Sequence, residues 1–323
     1  MVTINDVAKL ANVSKSTVSN VFSKKKYISP ELTKKVLKAA EELDFHQNYF
    51  AKTLATKTSK IIGISIELNE EFHTNFQQNI IRGILSVCAK NGYYLLVEPN
   101  GNKRDDYLPM DGMIMLNPED RGLSSEERPH VWVGVPPESE KTKAYYVDND
   151  NFSIGKNLTS ILNKYHQRVA FINTYAYTTV APQRHAGYLK AIEKYGLADL
   201  HFYTPKDMNP AEFAYEKTKE LLICDIPIDA IILDSDLMAL SVYKLVNELN
   251  FEIPKDLSVV AIYSSIDTPN VFYPELTTVN LNEMELGKAA AILLINQLQN
   301  LDNNKLESIQ IPSEINIRSS IKF

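Results

Sequence analysis

The 323-residue sequence predicts two parts, an all-α N-terminal head and a larger α/β body built on parallel sheets. Three observations lead there. Residues 1–60 hold eleven Lys, no Arg and five acidic residues, so this segment carries +6 while the remainder carries −12. Within the same segment apolar side chains recur at helical spacing in three short runs. Beyond it, strand-like apolar runs alternate with amphipathic stretches, and a βαβα order implies parallel sheets covered by helices.

The head starts with Thr3 and Asp6, spaced like a helix cap and its acidic partner. Ile4, Val7, Ala8, Leu10 and Ala11 give one apolar face, and Asn12-Val13 breaks the helix after about two turns. Ser14 caps a second helix whose inward stripe is Val18, Val21 and Phe22. Lys15, Ser16, Thr17, Ser19 and Asn20 are left outward. Ser29-Pro30 is a strong start signal for a third helix, with Leu32, Val36, Leu37, Ala40 and Leu43 inward. Three short helices with a tight first turn have helix-turn-helix geometry, in which the second helix enters the major groove. Its polar side suits that place. Hydroxyls and early helix amides hold phosphates, Asn pairs with adenine edges, and Lys reaches guanine or phosphate. A solvated lysine-rich surface is the competing reading of each residue taken alone.

The string Thr3-Ile4-Asn5-Asp6-Val7-Ala8 through Val13-Ser14-Lys15-Ser16-Thr17-Val18-Ser19-Asn20-Val21 closely resembles the head of the lactose/galactose-repressor (LacI/GalR) family. Ile28-Ser29-Pro30-Glu31 continues the likeness. That family usually carries Arg where Asn20 stands, so the resemblance implies an operator that differs at the corresponding base pair. Residues 48–60 resemble the family's hinge, with Ala51-Lys52-Thr53-Leu54 in place of Ala-Arg-Ser-Leu. The resemblance implies a segment that becomes helical on operator DNA and wedges Leu54 into the minor groove. A short helix is marginal alone, and an apolar wedge kinks DNA at the cost of unstacking. The DNA-contact set is therefore Thr3, Ser14, Lys15, Ser16, Thr17, Ser19, Asn20, Lys52 and Leu54.

In the body, strands are expected at Ile61–Ile66, Tyr93–Val97, Gly112–Leu116, Val131–Val135, Val169–Ile172, His201–Tyr203, Ala230–Leu233 and Leu257–Ile262. Helices are expected near 76–89, 183–195, 211–224 and 237–249. The family resemblance runs on through Val147-Asp148-Asn149, Arg184-His185-Ala186-Gly187-Tyr188 and Pro274-Glu275-Leu276. It implies a body like periplasmic sugar-binding proteins of type I, two lobes with a ligand cleft between them. The domain plan is a head at 1–47, a hinge at 48–60 and a body at 61–323. Lobe 1 takes about 61–150 and 280–306; lobe 2 takes about 151–279 and 307–323.

The resemblance places effector contacts at Phe76, Arg184, Ser235, Asp236 and Tyr263. Arg184 suits hydroxyls, carboxylates or phosphates. Ser235 stands where the family has Asn, and Tyr263 stands near a missing ligand-binding Asp. Core packing is the competing reading for Phe76 and Tyr263. The stretch from Glu98 to Met110 is shorter than the family's, as if one lobe-1 helix were reduced.

Other classes fare worse. No apolar run reaches the roughly 18 residues that span a bilayer. The start, Met1 to Asp6, lacks the form of a signal peptide, which points to the cytoplasm and away from a transporter's solute-binding protein. No nucleotide loop, nucleophile elbow or zinc signature appears, and no cofactor, metal or catalytic residue is expected. Cys88 and Cys224 read as two buried thiols. The sequence thus predicts a homodimeric, sequence-specific DNA-binding regulator. It would repress a carbohydrate-metabolism operon under control of a small effector, a sugar or sugar phosphate. The alternative within this class is a global regulator with a protein corepressor.

Overall fold

The computed structural model describes residues 2–23, 26–46, 58–66, 75–99, 110–116, 128–136, 145–176, 178–262, 271–299 and 308–323. The chain divides into two units, Met1–Lys60 and Ile61–Phe323.

The head has α1 (Ile4–Leu10), α2 (Lys15–Ser23) and α3 (Pro30–Glu42). Its core is small: Val7, Ala8, Ala11, Val18, Val21, Val36, Ala39 and Ala40, ringed by Ile4, Val13, Phe22, Ile28, Leu43 and Phe45. Leu10, Leu32 and Leu37, expected inside, are exposed. Leu37 lies about 100° around α3 from the middle of the face that Val36, Ala39 and Ala40 bury. The turn between α1 and α2 uses Asn12 at φ 47°, a left-handed position that Asn tolerates. Ser29 accepts the Leu32 N–H to start α3 with Pro30 at its first position.

The body contains two six-stranded sheets. In the first, β1 (Ile61–Ile66), β2 (Tyr94–Pro99), β3 (Gly112–Met115), β4 (His130–Val133), β5 (Tyr145–Asn149) and β11 (Ile309–Ile311) lie in the order β11-β5-β4-β3-β1-β2, all parallel. Helices α4 (Asn75–Lys90) and α9 (Glu283–Leu298) cover one face over a core of Ile62, Ile64, Ile114, Val131, Ile84 and Leu294. The second sheet has β6 (Val169–Asn173), β7 (His201–Tyr203), β8 (Ala230–Leu233), β9 (Ser258–Ala261), β10 (Thr277–Asn280) and β12 (Glu314–Asn316), in the order β12-β10-β9-β8-β6-β7. Its strands alternate in two directions. Ala170 and Ile172 meet α7 (Pro210–Ile223) and α8 (Asp236–Glu248). Val169 and Phe171 meet α5 (Asn151–Leu162) and α6 (Ala181–Tyr195). A strand buried on both faces loses the polar alternation of a half-exposed one, which is why these runs read as continuously apolar.

Two features depart from expectation. β11 pairs with β5, so residues 309–311 belong to lobe 1, and the last crossing falls at 312–313 instead of 307. β12 then runs antiparallel to β10, the one antiparallel pair among the described strands. The three crossings are tied together by Asn149, whose amide donates to Leu281 O at 3.0 Å and Ile311 O at 2.9 Å. Asn282, at φ 54°, donates to Pro312 O at 2.7 Å. Cys88 is buried as expected; Cys224 is exposed, and both are free thiols. Among the described residues no helix is long and apolar enough to cross a membrane.

Candidate functional site

In the head, Val18 and Val21 anchor α2 to the core, which fixes the opposite side outward. Lys15, Ser16 and Ser19 are exposed, with Thr17 and Asn20 half-buried beside them. Ser14 Oγ accepts the Thr17 N–H at 3.0 Å and lies 2.7 Å from Ser16 Oγ and 2.8 Å from Thr17 Oγ1. Three hydroxyls thus gather at the start of α2, where unpaired amides and the helix dipole favour a phosphate. Thr3 has a local task as well. Its amide and hydroxyl both donate to Asp6 Oδ2, at 2.9 and 2.7 Å, and hold that carboxyl below its ordinary pKa. Lys52 and Leu54 lie outside the described residues.

In the body, Arg184 is the centre of a buried polar chain at the carboxyl ends of the lobe-2 strands, where open α/β sheets bind ligands. Two close helix contacts set its position. A Cβ on Gly155 of α5 would lie 2.0 Å from Arg184 O, and one on Gly187 of α6 would lie 2.0 Å from Phe152 O. The two glycines let the helix backbones touch, and this brings the Arg184 side chain over the start of α5. Gly155→Ala should therefore push α6 outward and destabilise the protein by about 1–3 kcal/mol, or more if the helices cannot part. Thermal unfolding checks this, and an unchanged melting point would refute the contact.

The guanidinium Nε donates to Asn151 Oδ1 at 3.0 Å, and NH1 meets Asp234 Oδ1 at 3.0 Å. Asp234, at the end of β8, is only 4% exposed. It also accepts from Asn173 Nδ2 at 2.8 Å, Thr174 N at 2.7 Å and Thr174 Oγ1 at 3.0 Å. On the other side, Asn151 Nδ2 donates to both oxygens of Asp148, at 3.2 and 3.1 Å. Asp148 is the last residue but one of β5, so the chain reaches from lobe 1 into lobe 2. Burial raises the Asp148 pKa to about 6, against the lowering effect of the Asn149 amide and the Arg184 charge.

The far end of the chain is a histidine stack. His201 Nε2 lies 2.6 Å from Asn173 Oδ1. Because the Asn173 amide nitrogen points at Asp234, His201 donates through Nε2–H. The His185 ring stacks on His201 at 3.5 Å and 8°. Burial, then the neighbouring His185, lowers the His201 pKa to about 3.

The other expected effector residues take different places. Ser235 caps α8, its Oγ accepting the Met238 N–H at 3.3 Å. Asp236 is fully buried in the first turn of α8. The carboxylate set against Arg184 is thus Asp234. Phe76, at the start of α4, packs on the cores of both lobes. Tyr263 lies outside the described residues. Asn151, Asn173 and Asp234 were not singled out from sequence; a polar residue directly after an apolar strand run is the signal that marks Asn173 and Asp234. A separate surface groove of about 510 Å³ along α7 is lined by Met208, Phe213, Lys217 and Ile223, and by none of these residues. Among the described residues no cluster of His, Cys, Asp or Glu is fit to hold a metal ion.

Residues 3–48 match the bacterial regulatory proteins of the lacI family. Residues 159–321, just over half the chain, match the periplasmic binding protein-like domain. The chain belongs to the lacI family. It is 29% identical to the HTH-type transcriptional repressor PurR of Histophilus somni (strain 2336), covering 100% of this chain and 99% of that one. It is equally 29% identical to the HTH-type transcriptional regulator MalR of Streptococcus pneumoniae serotype 4, covering 94% and 95%. The fold is that of a lac repressor dimer bound to operator and the anti-inducer ONPF, at a TM-score of 0.80, 22% identity and 99% and 98% coverage. A CelR-cellobiose complex is similar at a TM-score of 0.69, 22% identity and 99% and 100% coverage. This lacI-family chain is a DNA-binding transcriptional regulator and not an enzyme.

Proposed function

We propose that the chain is a homodimeric repressor of a carbohydrate-metabolism operon, released from or held on its operator by a small effector in the interlobe cleft. The exposed polar side of α2 carries this reading. Lys15, Ser16, Ser19 and Asn20 meet base edges, while Thr3, Ser14 and Thr17 hold phosphates. Lys52 and Leu54 of the hinge complete the contact. One head reads one half-site, so two heads on a pseudo-palindrome need a dimer. Outward apolar residues such as Leu237 and Leu240 on α8 supply surface for a second copy. The similar CelR structure, solved with cellobiose, supports a saccharide effector. The buried chain through Arg184 and Asp148 supplies a route by which a ligand biases one lobe arrangement over another.

Selection of DNA from a random pool by the purified protein should return a pseudo-palindrome. Asn20→Ala should then weaken binding to that duplex about 10- to 100-fold, the range of one bidentate base contact, and relax preference at one base pair per half-site. Titration at fixed salt checks this. Equal weakening on scrambled DNA would show that Asn20 does not read a base.

A further inference from the structure

Asp234 is not a loose carboxylate near an arginine. Both of its oxygens are filled, one by Asn173 and Arg184 and the other by the amide and hydroxyl of Thr174. It sits where an arriving anion would otherwise pair with the guanidinium. Arg184 spends two of its five N–H bonds on Asn151 and Asp234. The others are donors, and a donor seeks an acceptor oxygen whether or not the ligand is charged. Beyond the Asn151 amide lies a second carboxylate, Asp148. One cation is therefore flanked by two carboxylates.

We propose that Asp234 is a resident counter-ion for Arg184, so that the cleft takes an uncharged, multiply hydroxylated ligand and rejects the same ligand carrying a phosphate or carboxylate. This rests on the reading of the cleft as the effector site and narrows it. A phosphate at Arg184 must either approach Asp234 at close range or expel it from four hydrogen bonds. Hydroxyl oxygens accept from the remaining N–H bonds without meeting that repulsion. Like charges a few ångströms apart in a partly buried site weaken binding by about 100-fold or more.

The test uses the full-length protein, its Asp234→Ala and Asp234→Asn variants, and paired probes at constant ionic strength. These are glucose, ribose, maltose and cellobiose against glucose 6-phosphate and inorganic phosphate. Thermal unfolding and calorimetric titration are the readouts. Wild type is expected to give no saturable response to either phosphate compound. Asp234→Ala, or Asp234→Asn if the alanine variant does not fold, should gain a saturable response to inorganic phosphate, about 100-fold tighter than wild type. A second change, Arg184→Met, should abolish that gain. Saturable phosphate binding by wild type that Arg184→Met removes would overturn the proposal, as would a charge-neutral variant that gains nothing. Failure of every uncharged saccharide to shift wild type would instead remove the cleft-effector reading, and the ion-exclusion result would stand or fall separately.

Discussion

Arg184→Met is expected to cost about 3–5 kcal/mol of folding stability, because it strands a carboxylate in the interior. Asp234 is 4% exposed and keeps Asn173 and Thr174 as donors after the change, which places the expected loss toward the lower end of that range. Asp234→Ala should also be costly, since it leaves the guanidinium uncompensated and orphans the Asn173 amide. The two losses should not add. In the double variant neither charge is stranded, so its cost should fall short of the sum by about 2–3 kcal/mol. Urea denaturation of the four proteins measures this. Losses that sum to within about 0.5 kcal/mol would show that the two groups are not coupled.

The same residues show where sequence reasoning works and where it stops. The head was legible because its helices carry their own start signals, Thr3 with Asp6 and Ser29 with Pro30, and because its buried apolar residues recur at helical spacing. The over-count of Leu10, Leu32 and Leu37 came from treating every apolar residue near the stripe as core; a head this small has no room for them. Most body strands were legible as apolar runs. α9 was not, because Leu286, Ala290, Leu293, Leu294 and Ile295 are buried around much of its girth and no clean polar face remains. β11 and β12 are three residues each, and their partners lie far upstream in the chain, so no local pattern reveals which sheet each joins. Arg184 was legible through family resemblance. Its partner was not, since Asp234 is one Asp among many until the fold brings the ends of β6 and β8 together. Asp236, singled out by the resemblance, is fully buried in the first turn of α8, while Asp234, before the helix cap, is the carboxylate that pairs with Arg184.

His201→Gln is expected to flatten the acid limb of stability. The folded-state pKa of His201 is lowered to about 3, below the unfolded value near 6.5. Its neutral form is favoured by folding, so its contribution is complete above pH 6.5 and is lost as pH falls toward 3. With allowance for solvent at the partly exposed ring, the loss reaches about 2–3 kcal/mol by pH 4. Wild type alone will not display this slope cleanly, because Asp148 works against it. The Asp148 pKa is raised to about 6, so its ionisation costs stability above that pH and the cost is relieved as pH falls through 6 toward 4. The two slopes oppose each other over the same window. Comparison with a variant that cannot titrate at position 201 separates them. Gln keeps a donor for Asn173 Oδ1 without acquiring charge, so the variant should lose less stability than wild type between pH 7 and pH 4 by about 2–3 kcal/mol. Parallel curves for the two proteins would mean that His201 is already free to protonate, and that the stack with His185 does not hold it neutral.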